Sequence, residues 1–156
     1  MKNNWSKKIA KKYIKKYEKL GFSADLALRV YTTRLLGSNK ELVLHGGGNT
    51  SVKTTIQDID GKKYKVLCVK GSGWDMADIE PPGLPAVKLD PLLSLKSKKY
   101  LSDEDMVAYQ KRNLIDIKSP NPSVETFLHA FLPFKYVDHT HADAVLNVTN
   151  RPGGLK

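Results

Sequence analysis

Residues 51–70 read SVKTTIQDIDGKKYKVLCVK, two strand-like runs, Ser51 to Ile59 and Lys62 to Lys70, on either side of Asp60-Gly61. That dipeptide favours a type I′ turn, so the two runs are expected to pair as an antiparallel hairpin. Elsewhere the chain alternates between helical and extended patterns. Alternation that contains at least one hairpin points to an α/β fold with a mixed central sheet and helices on its faces.

Upstream of the hairpin, Trp5, Ile9, Tyr13, Ile14, Tyr17 and Leu20 recur at helical spacing. They predict an amphipathic helix over about 5–19, stopped at Gly21. Ser23 reads as the N-cap of a second helix, 24–36, closed by Gly37. Glu41 to His45 reads as a short strand running into Gly46-Gly47-Gly48. Downstream, Gly71 to Pro91 is rich in Gly and Pro and is expected to hold no regular element. Ser102, followed by three acidic residues, starts a helix whose first turn suits the helix dipole. Ser123 is expected to cap a helix from Val124 to about Leu132, stopped at Pro133. A strand at Tyr136–His139 and a helix or turn over 142–148 complete the reading. The segment 1–22 is set apart as a basic N-terminal helix, and 23–156 as the main domain.

The 156 residues suffice for one ordinary domain. No apolar run approaches the ~18–20 residues that span a bilayer. No secretory signal is recognisable. The single cysteine, Cys68, lies in an apolar run, which suits a buried, inert thiol. Together these features imply a cytoplasmic protein with no membrane partner. The net charge is +10, and eight of the 26 basic residues fall within the first 20 positions. Such a cluster can mark a nucleic-acid or anionic-lipid surface. Here lysines fill the polar faces of one amphipathic helix and offer little for base readout, so a solvated helix face is the better reading and no nucleic-acid partner is expected.

Chemistry concentrates in three places. His139-Thr140-His141 sets two imidazoles at i and i+2, which on a strand face the same way and can grip one divalent metal, zinc first by ligand type. Asp138 and Asp143 flank the pair, and either can orient a ring from behind. One cysteine rules out a Cys-rich structural zinc site, which leaves an open, catalytic type. Glu125 lies at the start of the helix after Ser123, where a carboxylate is also ordinary capping grammar. His129, one turn on, reads as part of a packed helix face. Two glycine-rich loops, Gly46 to Ser51 and Lys70 to Gly73, suit close backbone approach to an anion. Neither has P-loop or GxGxxG spacing.

Taken in order, Gly-Gly-Asn-Thr-Ser, Gly-Ser-Gly, Pro-Ser-Val-Glu and His-Thr-His-Ala-Asp resemble the class II aldolase/adducin family. The resemblance runs from about Leu28 to the last residue. Stretches 44–52, 69–90 and 122–143 are especially similar to the aldolase domain of bacterial rhamnulose-1-phosphate aldolase/short-chain dehydrogenase fusions. It implies a three-layer α/β/α domain that holds one divalent ion, usually zinc, through His139, His141 and a third histidine farther along. Glu125 matches the catalytic acid/base. Asn49, Ser72 and Gly73, with Ser123 beside them, match the residues that hold the substrate phosphate. Many members carry a serine where this chain has Val124. Residues 142–156 contain no histidine, so the chain is expected to be an N-terminal portion of a longer protein, incomplete at its C-terminus and oligomeric when whole. The implied reaction is retro-aldol cleavage of a ketose 1-phosphate such as rhamnulose 1-phosphate. The alternatives are a sugar-phosphate 4-epimerase, where the Glu125 position usually resembles Asp, and a non-catalytic adducin-like interaction module.

Overall fold

The hairpin forms the middle of a four-stranded sheet. The computed structural model describes residues 3–154. Among them the elements run α1 (Lys7–Glu18), α2 (Ala24–Gly37), β1 (Asn49–Gln57), β2 (Lys63–Val69), β3 (Ala86–Lys88), α3 (Leu89–Ser94), α4 (Asp103–Arg112), α5 (Thr126–Phe131), β4 (Tyr136–His139) and α6 (Asp143–Thr149). The sheet order is β3-β2-β1-β4, and its three pairings are antiparallel, so among the described residues the sheet is antiparallel and not the mixed one expected.

Alternation along β2 builds a core on each face. Val66 and Cys68 pack with Val52 of β1 against Tyr17 of α1 and Leu26, Ala27 and Val30 of α2. Leu67 and Val69 point the other way and pack with Val87, Leu89, Leu92, Leu114 and Ala130, under α3 and α5. Each fully buried valine or leucine among them is worth roughly 1.5–3 kcal/mol relative to exposure. The result is the α/β/α layering expected from the sequence. The lysine-rich α1 is capped by Ser6, whose hydroxyl accepts the Ile9 N–H, and it buries Ala10 and Tyr17 while its lysines face solvent.

Several local expectations need correction. The hairpin turn is not type I′. Gly61 N–H donates to the Asp58 carbonyl at 2.9 Å and Asp58 N–H to that of Lys62 at 2.8 Å, so Ile59 and Asp60 are the central pair. Gly61 alone takes positive φ there, +78°, which makes a type I turn closed by a glycine bulge. No strand forms at 41–45. The Leu42 and Val43 N–H groups donate to the Asn39 carbonyl at 3.0 and 3.1 Å, which coils the segment into turns, and β1 begins past the glycines. The Gly/Pro-rich stretch does carry regular structure: a 3-10 turn at Pro81–Gly83, then β3 and the start of α3. Pro91 sits in the first turn of α3, where its missing N–H has no helical acceptor to lose. The helix after Ser123 starts at Thr126, so Glu125 is its N-cap and not part of its first turn.

This topology gathers the glycine loops and the end of β4 at one end of the sheet. Asn49 pairs with His139 across β1 and β4. Beyond β2, the Lys70 N–H donates to the Thr50 carbonyl at 2.9 Å, and Gly71 forms an isolated bridge with Pro122.

Candidate active site

Because strands alternate, residues at this sheet end sort onto two faces. Thr50 and Asp138 turn towards α2. There the Thr50 and Thr33 hydroxyls lie 2.7 Å apart, and Asp138 pairs with the buried Arg29 guanidinium at 2.7 Å. Burial pulls the Arg29 pKa below the usual range, and the Asp138 charge opposes that shift. Asp138 is therefore committed to the opposite face and does not orient His139. Asn49, Ser51 and His139 turn the other way, towards α5.

On that face Glu125 holds the histidine. The His139 Nδ1 and Glu125 Oε2 atoms are 2.8 Å apart. With Nδ1 as the donor, the lone pair left on this ring is at Nε2, the arrangement in which a carboxylate fixes the tautomer of a metal-binding histidine. His141 lies outside β4, and its backbone N–H is anchored on the Leu42 carbonyl at 2.9 Å. Its ring rests on Gly47, where an added Cβ would stand 3.2 Å from His141 Nδ1. Gly48 takes φ +70° and has the His139 carbonyl and the Met76 sulfur against it. A side chain at Gly48 would push the loop off the His139 carbonyl and Met76. The two rings sit edge to face with centroids 4.8 Å apart.

Glu125, His139 and His141 each offer one ligand atom, and these atoms all lie within 4.8 Å of one another. Two ligands of one zinc, at about 2.0–2.1 Å each, stand at most about 4.2 Å apart. The cluster therefore fits a divalent ion after a small closure, and an imidazole/carboxylate donor set is chemically suited to zinc. His45, exposed and at φ +50°, and the buried His129 do not join this group.

The loops named for phosphate surround the same end. Asn49 is buried, and its Oδ1 has no hydrogen-bond partner among the described residues. The Ser72 N–H donates to the Asn121 carbonyl at 2.9 Å, and the Ser123 N–H to that of Lys70 at 3.3 Å, which ties the second glycine loop to the segment before α5. Ser72 and Gly73 are exposed, with Gly73 at φ +78°. Two further residues, read in the sequence only as part of a glycine loop and of a packed helix face, make contacts that no local pattern signals. Lys70 is buried, and its ammonium donates to the Gly46 carbonyl at 3.2 Å and the Trp74 carbonyl at 2.7 Å, joining the two glycine loops. Burial lowers its pKa, while Glu125 and Asp75 act to raise it. His129 places Nδ1 2.8 Å from the Ser51 hydroxyl, and burial lowers its pKa to about 4.

Residues 27–155 match the family model described as class II aldolase and adducin N-terminal domain. The chain belongs to the class II aldolase and adducin family. Among curated proteins it is similar to "Uncharacterized oxidoreductase YuxG" of Bacillus subtilis (strain 168), with 46% identity over 119 residues, 76% of this chain and 17% of that protein. The chain thus spans about a sixth of that relative's length. Among solved structures it is similar to the N-terminal class II aldolase domain of a conserved protein from Thermoplasma acidophilum. That match has a TM-score of 0.82 and 42% identity, over 99% of this chain and 68% of the other. Class II aldolases generally use a divalent metal, and the Glu/His cluster is where this domain has donors for one. No helix among the described residues is long and apolar enough to cross a membrane.

Proposed function

We propose that this domain catalyses metal-dependent retro-aldol cleavage of a ketose 1-phosphate, of which rhamnulose 1-phosphate is an example, to dihydroxyacetone phosphate and an aldehyde. The observation that carries the reading is the convergence of Glu125, His139 and His141 at the sheet end that also holds both glycine loops. His139 and His141 hold the ion, zinc by donor type. When bound, a divalent ion supplies Lewis-acid stabilisation of negative charge on the substrate oxygens.

The protein's own work is proton transfer and positioning. Glu125 removes the proton of the C4 hydroxyl and later returns one to carbon, which requires its carboxylate within hydrogen-bond reach of the substrate. Asn49, Ser72, Gly73 and Ser123 hold the phosphate away from the reacting bond, so that its binding energy orients the carbon chain. Support for Asn49 comes from its buried, unpartnered amide oxygen. A buried amide costs free energy until a ligand completes its hydrogen bonds, and a flip of the group presents either end. Glutamate at 125, where epimerase-like relatives usually resemble aspartate, favours cleavage over epimerisation.

The test is Glu125→Gln, assayed in the 156-residue chain at saturating zinc and in any longer polypeptide that carries it. Turnover of ketose 1-phosphates should fall about 10²–10⁴-fold, while zinc binding persists, weakened by no more than the ~10–100-fold that support from behind a ligand is worth. Retained turnover would remove Glu125 from the chemistry. Lost zinc binding would make it a ligand instead.

A further inference from the structure

His129 is fully buried, yet its Nε2 atom has no hydrogen-bond partner among the described residues. Leaving such an atom unpaired costs about 1–3 kcal/mol, so it calls for a physical reason. The nearest charged atom recorded for it is Glu125 Oε2, at 3.9 Å, too long for a hydrogen bond. The same carboxylate oxygen lies 2.8 Å from His139 Nδ1. One oxygen thus stands between two imidazoles, bonded to one and about 1 Å short of bonding the other.

The tautomer of His129 follows from its other nitrogen. Nδ1 is 2.8 Å from the Ser51 hydroxyl, the one side-chain contact recorded for that hydroxyl among the described residues. If Ser51 donates, its proton is satisfied, Nδ1 is the acceptor, and Nε2 carries the ring N–H towards Glu125. If Nδ1 donated instead, the Ser51 proton would be left without an acceptor, and a bare Nε2 lone pair would face the carboxylate. Both consequences are unfavourable.

We propose that His129, held by Ser51 in the Nε2–H tautomer, is a positioning residue that gives the Glu125 carboxylate a second station, so that Glu125 stays placed when it leaves His139. Its catalytic importance rests on Glu125 being the acid/base. The backbone supports the geometry, since the His129 N–H also donates to the Glu125 carbonyl at 3.1 Å and ties the two residues across one helical turn.

The experiment reads the imidazole nitrogens of His129 by long-range ¹H–¹⁵N correlation in the metal-free 156-residue chain. A protonated Nε2 and unprotonated Nδ1 are expected, with a tautomer mixture in Ser51→Ala. An Nδ1–H tautomer in the unaltered chain overturns the proposal. Two substitutions then separate positioning from simple packing. His129→Gln keeps a donor near Nε2, whereas His129→Asn keeps a group near Nδ1 for Ser51. The ¹³C shift of the Glu125 carboxyl should stay as in the parent chain in His129→Gln and move in His129→Asn. Turnover at saturating zinc should follow the same order, with kcat lower in His129→Asn by on the order of tenfold to a hundredfold and KM little changed. The reverse order would assign His129 to holding α5 on β1 and nothing more. The spectroscopic measurements need neither zinc nor turnover, so failure of the aldolase reading and failure of this one are told apart.

Discussion

A buried ammonium is tolerated only where its donors find acceptors. Lys70 meets that condition with two carbonyls, one from each glycine loop. Lys70→Met keeps the aliphatic stem and removes the donors, leaving the Gly46 and Trp74 carbonyls without this partner. Thermal or urea denaturation should show a loss of about 1–3 kcal/mol, with weaker phosphate binding by titration. An unchanged midpoint would mean that the loops hold without the staple. Two positions earlier, Cys68 is fully buried, and burial, with the Asp25 charge behind it, raises its thiol pKa to about 12. A disulfide reagent should leave Cys68 untouched in the native chain and modify one thiol on unfolding. Rapid native labelling would contradict its place in the core. The Cys68 reading and the His139/His141 pair were legible from residue type and spacing, whereas Glu125 read by itself as ordinary capping grammar and was joined to the pair only by the family resemblance. Lys70 and the Ser51–His129 contact were not legible, because they join residues 24 and 78 positions apart with no local pattern.

At the scale of elements, the caps were the most readable feature. Ser23 and Ser102, read as helix starts, each accept an N–H three residues on, from Leu26 and Asp105, and Ser6, which the apolar spacing had placed inside the first helix, accepts that of Ile9. That geometry is local, so sequence suffices to find it. Ser123 breaks the pattern. Its hydroxyl accepts the Glu125 N–H at 3.3 Å, two residues on, and the helix waits until Thr126. The delay follows from pairing at Lys70–Gly71, which draws residues 122–123 into an extended path, a long-range cause with no mark in the local sequence. The short β3 was hidden for the same reason, since its existence depends on the edge of β2. Gly37 separates local propensity from packing. Alanine in a helix is normally worth about 0.5–1 kcal/mol over glycine. A Cβ at Gly37, however, would collide with the backbone of Met76 and Ala77. Gly37→Ala should therefore lose about 1–3 kcal/mol as overpacking outweighs propensity. A stabilised variant would show that the 76–77 segment yields freely.

For the molecule as a whole, the metal affinity of this chain follows from how few donors the fold assembles. Among the described residues the cluster holds two imidazoles and one carboxylate, and His139 already engages that carboxylate. If Glu125 is kept for proton transfer, two histidines remain for the ion. Structural zinc sites with four ligands deliver apparent binding free energies of about 10–16 kcal/mol, and support from behind a ligand is worth only ~10–100-fold in affinity. The 156-residue chain should therefore bind zinc well short of that range and release it readily to a chelator. Calorimetric zinc titration of the parent, His139→Ala, His141→Ala and Glu125→Gln chains makes the division of labour visible. Loss of either imidazole should abolish the binding isotherm, whereas Glu125→Gln should shift it by no more than the outer-shell factor. If one histidine proves dispensable, zinc is taking another donor, and the reading of His139 and His141 as a pair fails. If the parent binds as tightly as a four-ligand site, the chain holds a ligand outside the Glu125/His139/His141 cluster. Metal-loaded spectra of His45 and His129 would then be the first place to look for it.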